Sequence, residues 1–160
     1  MSEIKIELIA PFMDATKETL KTMANKTIRR KEVYLKKGYA MYGEVSGMIG
    51  LSGVTTGTCA ISMPANLARH LVAEMLMIPN PDLVEANDVR DGVGEFMNMI
   101  AGGAKTRLSS TRYKFDITLP TIISGGPHEM FHRTGTHCVV IVFAVDDLHA
   151  FALDVAVKAR

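Results

Sequence analysis

The sequence contains 160 residues, of which 48% are apolar and 22% are charged, and its formal net charge is +1. This composition is typical of a folded globular protein and excludes a largely disordered chain. The nearly balanced charge gives no support for a nucleic-acid or acidic-membrane partner, and no apolar run approaches the roughly 20 residues that span a bilayer. We expect one domain over residues 1–160 that buries roughly 70% of its unfolded surface.

The cysteines and the first residues bear on the cellular compartment. Residues 1–5 read Met-Ser-Glu-Ile-Lys and lack the basic and then apolar layout of a signal peptide. Cys59 and Cys138 both lie in apolar, strand-like runs, which predicts buried and reduced thiols. We therefore expect a cytoplasmic protein.

Periodicity and turn residues divide the chain into helices and strands. The predicted helices lie at residues 8–24, 64–77 and 88–108. The predicted strands lie at residues 27–36, 39–52, 54–63, 114–120, 121–126, 137–145 and 149–157, with turns at Ser52-Gly53 and Asp146-Asp147. This order of elements predicts an α+β fold with a mainly antiparallel sheet and three helices, two of them long, packed on one side.

Two stretches resemble known motifs but lack the surroundings that those motifs need. The glycines at 43, 47, 50 and 57 are not followed by Gly-Lys-Ser/Thr or by a helix, so we interpret them as bulges and bends rather than as a phosphate loop. Residues 128–132 read His-Glu-Met-Phe-His, the zinc-binding pattern of metalloproteases. In such a site His137 would be the candidate for a third zinc ligand. Glycine and proline flank this stretch closely, which favours a hairpin connection between strands over a zinc-binding helix.

The helix predicted at 88–108 has two distinct faces. Its apolar stripe, which should face the core, consists of Val89, Val93, Phe96, Met97, Ile100, Ala104 and Leu108. Its polar stripe consists of Asp91, Glu95, Asn98, Gly102 and Lys105, which places Glu95 and Asn98 one turn apart on one exposed face. Asn87 or Asp88 is the expected N-cap. The glycines at 92, 94, 102 and 103 each cost about 1 kcal/mol in a helix interior, so we expect another surface to approach closely there.

The polar stripe carries a resemblance to a known family. Glu95-Phe-Met-Asn98, followed by Met-Ile-Ala-Gly-Gly-Ala-Lys, resembles the Glu-x-x-Asn helix of the CheX/CheC family of chemotaxis phosphatases. The first helix, with its Pro-Phe-Met start, and Leu119-Pro-Thr-Ile122 also resemble CheX. The first helix reads Asp14-Ala-Thr-Lys17 and Glu18-Thr-Leu-Lys21, so it lacks the second Glu-x-x-Asn motif of the two-motif CheC proteins. The resemblance thus implies one active helix per chain.

This resemblance implies a phosphatase that acts on the aspartyl-phosphate of a CheY-type response regulator, with Asn98 as the catalytic residue and Glu95 as its docking partner. The chemistry is consistent, because an acyl phosphate is already activated and its hydrolysis needs mainly an aimed water and charge compensation. A side-chain amide both donates and accepts hydrogen bonds and needs no particular pKa. The receiver domain is expected to bring its own Mg²⁺ and a lysine that pairs with Glu95, so no cofactor is expected on this chain.

The resemblance also implies how the partner docks and how the chain assembles. Asp91, Gly94, Gly102 and Lys105 are predicted docking residues, with the glycines letting the helix lie flat against the receiver and the charges setting association rate and orientation. A homodimer is expected, as in CheX-like proteins. The alternative is a non-catalytic adaptor that binds response regulators, since the same fold occurs in flagellar switch proteins and a fold does not imply activity.

Overall fold

The computed structural model describes residues 6–160. Within these residues there are three α-helices: α1 (Ile6–Ala24), α2 (Ala65–Leu76) and α3 (Ala86–Leu108). A short 3-10 helix, Pro81–Leu83, precedes α3. The strands are β1 (Arg29–Leu35), β2 (Val45–Gly53), β3 (Thr55–Met63), β4 (Phe115–Ile117), β5 (Thr121–Ser124), β6 (Cys138–Ala144) and β7 (Ala150–Ala159).

All seven strands form one sheet in which every pairing is antiparallel. The spatial order is β1-β6-β7-β3-β2-β4, and β5 also pairs with β2. The hairpins β2–β3 and β6–β7 turn at the predicted places, with Gly53 at φ 124° in the first and Asp146 accepting backbone hydrogen bonds in the second. The predicted α+β architecture is therefore confirmed.

The two faces of the sheet are covered differently. The main core lies between the helices and alternate residues of the central strands, which include Ile61, Ile141 and Leu153. A smaller apolar cluster lies on the opposite face and consists of Cys138, Val140, Val142, Ala152 and Ala156. This alternation follows from the two-residue period of strands, which sends successive side chains to opposite faces.

The two cysteine side chains belong to opposite faces of the sheet. Cys59 lies in the main core and Cys138 in the cluster on the other face, and both are free thiols and buried. Burial raises the pKa of the Cys138 thiol to about 12 and raises that of Cys59 well above its ordinary value. The predicted buried, reduced thiols are confirmed.

The start of α3 differs from its prediction, whereas the ends of α2 agree with theirs. Glu85 is the N-cap of α3, and its carboxylate and that of Asp88 form a reciprocal capping box, so the prediction of Asn87 or Asp88 as the N-cap is wrong. Helix α3 begins at Ala86, two residues before its predicted start at residue 88. Pro64 precedes α2 as its N-cap, and Met77 ends that helix in the left-handed conformation at φ 59°.

The glycines of β2 and β3 do not form bulges. The pairing of these strands runs without interruption from Val45↔Met63 to Leu51↔Gly57, so the bulges predicted at Gly47, Gly50 and Gly57 are absent, whereas Gly43 lies in a bend before β2, as predicted. Their role is close approach: a Cβ on Gly43 would lie 2.1 Å from the carbonyl carbon of Met63, and one on Gly57 would lie 2.0 Å from the carbonyl oxygen of Ala156.

The segment between β5 and β6, residues 125–137, crosses the sheet. β5 pairs with β2, whereas β6 lies between β1 and β7, so the predicted hairpin connection is wrong. The segment contains no helix, and its two motif histidines have separate environments. His128 Nε2 lies 2.7 Å from Ser46 Oγ, while Nε2 of His132 is shielded from solvent and has no hydrogen-bond partner.

None of the helices within residues 6–160 is sufficiently long and apolar to traverse a membrane. Residues 1–5, on which the prediction about a signal peptide depends, lie outside the described part of the chain.

A buried ion pair lies on the face of the sheet away from the helices. Lys36 Nζ is 2.7 Å from Asp154 Oδ2, and the two side chains are only 9% and 3% exposed. Asp154 is in the centre of β7, and Lys36 immediately follows β1. Breaking such a pair leaves an uncompensated charge in a place from which water is largely excluded.

We expect Asp154→Ala to lower the free energy of unfolding by about 3–5 kcal/mol, because it leaves Lys36 buried without its counter-ion. The double variant Lys36→Met with Asp154→Leu should recover most of that loss. Urea unfolding of the three proteins measures both effects. Lys26→Met is the control: it breaks the exposed pair with Glu74, whose loss should cost about 1 kcal/mol or less. Equal losses in Asp154→Ala and Lys26→Met would contradict this account.

Candidate functional site

Helix α3 occupies the centre of the helical layer. It packs against α1 and α2 and against strands β2, β3, β4 and β5. Its predicted apolar stripe is confirmed, because Val93, Phe96, Met97, Ile100 and Ala104 are completely buried. The rotation of the helix about its axis is therefore fixed, and so is the direction of its opposite stripe.

The polar stripe lies on the outer surface of α3, as predicted. Glu95 and Asp91 are exposed, and Asn98 is half-buried one turn beyond Glu95. Within residues 6–160, the side chains of Glu95 and Asn98 form no hydrogen bond or ion pair. Their carboxylate and amide groups are thus available to a partner, on a helix whose backbone is fixed by the core beneath it.

Asn98 borders a groove that runs between α1 and α3. The groove is lined from α1 by Ala15, Glu18, Thr19 and Thr22, and from α3 by Asn98, Met99, Gly102, Gly103, Thr106 and Arg107. Arg107 closes it by an ion pair with Glu18 that links the two helices. Met99 and α1 are not among the site residues predicted from the sequence. The sequence feature that could have indicated the groove is Met99, an apolar residue directly after Asn98 of the polar stripe.

The four glycines of α3 serve two different purposes. A Cβ on Gly92 would lie 2.5 Å from Val72 of α2, and one on Gly103 would lie 3.0 Å from the Cβ of Ala15 of α1. Gly94 is buried, with Ile122 3.4 Å from an added Cβ, so we correct its predicted docking role to packing inside the domain. Only at Gly102 would a Cβ enter open space, and this glycine lies on the exposed stripe.

The charged residues at the two ends of the stripe differ in their surroundings. Lys105 Nζ lies 3.1 Å from Asp116 Oδ1 at the end of α3 nearest β4. Asp91 is exposed near the start of the helix. Neither residue lies among the lining residues of the groove, and their predicted role at the rim of a docking surface stays a prediction.

We expect Gly102→Ala and Gly92→Ala to change stability in opposite directions. Alanine at position 102 should raise the free energy of unfolding by up to about 1 kcal/mol, because it favours the helix and meets nothing within 4 Å. Alanine at position 92 should lower it by about 1–3 kcal/mol, because its methyl group collides with Val72. Chemical denaturation measures both values, and a shift of the same sign in the two variants would contradict this packing.

Comparisons with known proteins show the family and the fold of this chain. Residues 45–144 match the family model described as chemotaxis phosphatase CheX. A CheC-like superfamily protein from Shewanella sp. PV-4 has 31% identity, with 98% of this chain and 100% of that chain covered and a TM-score of 0.87. CheX from Vibrio vulnificus has 30% identity, coverage of 95% and 99%, and a TM-score of 0.83.

A third structure contains a bound partner. It is the CheX–CheY–BeF3–Mg²⁺ complex from Borrelia burgdorferi, at 26% identity, coverage of 96% and 99%, and a TM-score of 0.78. No curated protein matches the sequence significantly. The family model covers well over half of the chain, and structures of the same family superpose over nearly all of it, so this protein belongs to the CheX family of chemotaxis phosphatases.

Proposed function

We propose that this protein hydrolyses the aspartyl-phosphate of a CheY-type response regulator and that the amide of Asn98 aims the attacking water. The observation that carries the proposal is the pair of exposed Glu95 and half-buried Asn98 on the outer face of a closely packed helix, with both side chains unpartnered within residues 6–160. The proposal is supported by membership of the chemotaxis phosphatase family and by the complex of the Borrelia CheX with CheY.

The amide of Asn98 suits this reaction because it can hold a water without taking its proton. Its carbonyl oxygen accepts a hydrogen bond from the water, and its NH₂ group donates to a phosphoryl oxygen. An acyl phosphate needs in-line attack and little further activation, so positioning supplies most of the catalysis. Because an amide does not titrate, this contribution is independent of pH across the neutral range.

Glu95 is proposed to fix the depth at which Asn98 enters the receiver. The carboxylate lies one turn before the amide on the same face, so it meets the receiver beside the reacting group. A charge-assisted hydrogen bond to a lysine next to the phosphoaspartate would orient the two proteins. Glu95 would then contribute to docking, whereas Asn98 would act in the hydrolytic step.

The magnesium ion of this reaction is assigned to the receiver domain. Within residues 6–160, no group of three or more His, Cys, Asp or Glu side chains is placed to hold a metal ion. The proposed contribution of this chain is restricted to two side chains that approach from one helix. Mg²⁺ in the receiver would offset the negative charge of the phosphoryl group.

We expect Asn98→Ala to lower kcat by about 100-fold or more while the variant still binds the phosphorylated receiver, because a group that acts in the transition state is lost. Glu95→Ala should mainly raise KM. The measurement is the decay of a phosphorylated CheY-type receiver from the same genome, with Mg²⁺ present. Asn87→Ala is the matched control, because Asn87 is an exposed asparagine of the same helix, near its N-terminus and far from the pair.

Two results would contradict parts of this proposal. Full activity of Asn98→Ala would remove that residue from its role. Binding of the phosphorylated receiver by the unaltered protein without faster decay would favour the adaptor function instead.

We also propose that the chain forms a homodimer through β1. This strand ends the sheet, and Val33, Tyr34 and Leu35 are 45%, 41% and 53% exposed. An edge strand has unpaired backbone groups that can pair with a second strand. Apolar side chains on such an edge favour burial against a second copy.

We expect the double variant Val33→Lys with Leu35→Lys to have the mass of one 17.5 kDa chain in solution, and the unaltered protein to have twice that mass. Lysine charges on both proposed partners would repel and would have to be desolvated. Light scattering after size-exclusion chromatography measures the mass. Leu148→Lys, at an 89% exposed position in the β6–β7 turn, should leave it unchanged. A monomeric unaltered protein would exclude the proposed dimer.

A further inference from the structure

The groove beside Asn98 is mainly apolar and has no unpaired charge in its lining. Its two charged residues, Glu18 and Arg107, pair with each other, and Arg107 also donates to the carbonyl oxygen of Gly103 at 3.1 Å. The remaining lining consists of Asn98, Met99, two glycines, one alanine and three threonines. Entry of a charged group would require its desolvation without a free counter-ion, which is costly. The groove is therefore suited to an uncharged side chain.

Met99 is the exception to the burial pattern of α3. Every other large apolar side chain of this helix is buried or packed against the core, whereas Met99 is 46% exposed. It follows Asn98 directly and lines the same groove. An exposed methionine is flexible and can adjust its shape to a partner.

The position of the groove beside Asn98 determines what would cover it. For the amide of Asn98 to reach a phosphoryl group, the receiver must lie against this turn of α3. The receiver surface that surrounds the phosphoaspartate then covers Met99, which adjoins Asn98, and Gly102, which is one turn further on. Gly102 has open space above it and so permits that approach.

We propose that the α1–α3 groove receives an apolar side chain of the docked receiver domain, from the surface next to its phosphorylated aspartate, and that Met99 is the residue that contacts it. This proposal rests on the proposed function and adds a second point of contact to it. Asn98 and Glu95 approach the polar phosphorylation site, while the groove supplies apolar burial that does not change during the reaction. Such uniform binding affects affinity for the receiver and leaves the chemical step unaltered.

The test measures binding and turnover separately. Binding is measured by calorimetry with a CheY-type receiver from the same genome, loaded with beryllofluoride and Mg²⁺ to imitate the phosphorylated state. We expect Met99→Ala to weaken binding three- to tenfold and to raise KM by the same factor at unchanged kcat, since part of a methionine side chain no longer becomes buried. Met99→Leu should restore most of the affinity.

A second variant tests the groove without changing Met99. Thr22 is an exposed lining residue on α1, and Thr22→Phe places a ring in the groove itself. This variant should weaken binding at least as much as Met99→Ala. Leu76→Ala is the matched control, because Leu76 is 43% exposed at the end of α2 and outside the groove, and its removal should not affect receiver binding.

The outcomes for the groove and for the catalytic pair are distinguishable. Unchanged binding by both Met99→Ala and Thr22→Phe would overturn the groove proposal, even if Asn98→Ala abolishes turnover. Weaker binding by both variants with an unaffected Leu76→Ala would support it, even if the protein proves to be an adaptor without activity. Failure of the unaltered protein to bind any receiver would overturn both proposals together. Urea unfolding of each variant verifies that the fold is intact.

Discussion

The close packing of α3 is the constraint on which the rest of the helical layer depends. Three of its glycines face three different neighbours: Gly92 meets α2, Gly103 meets α1, and Gly94 meets Ile122 of β5. A Cβ on Gly92 or Gly103 would come within 3.0 Å of a neighbouring side chain, and one on Gly94 would be in ordinary contact with Ile122, so the helix packs closely on all three sides. Glycine weakens a helix by about 1 kcal/mol per position, and tertiary packing must offset that loss here.

The close packing of α3 fixes the positions of the residues on its exposed stripe. A residue that acts by aiming a water needs a backbone that does not shift, and residues on a packed helix satisfy that need better than residues on a loop. Asn98 and Glu95 are one turn apart on such a helix, directly above completely buried side chains such as Phe96 and Met97. Their geometry is therefore determined by the core and does not depend on contacts between the two side chains.

The opposite face of the sheet is covered by a segment without helices and by polar contacts. Residues 125–137 cross it, His128 contacts Ser46 of β2, and the Lys36–Asp154 pair lies buried on the same face. Buried Ser46, Ser62 and Asp154 find their hydrogen-bond partners there. At the end of the sheet, β1 remains exposed along its whole length. Docking of a receiver and pairing of two copies would thus use separate surfaces.

The local periodicity of the sequence determined most of the secondary structure of this protein. The spacing of apolar residues placed the three helices and most strands within a few residues, and it correctly separated the buried and exposed stripes of α3. The motif Glu95-x-x-Asn98 predicted the candidate site from the sequence, because both residues lie within one turn of a single helix.

Only the tertiary structure decided what depends on residues distant in sequence. It showed that Gly94 packs beneath Ile122 while Gly102 faces open space, that residues 125–137 cross the sheet, and that α1 forms one wall of a groove beside Asn98. The physical reason is that periodicity reports which side of an element is buried, whereas the identity of the neighbour is set by how the elements pack.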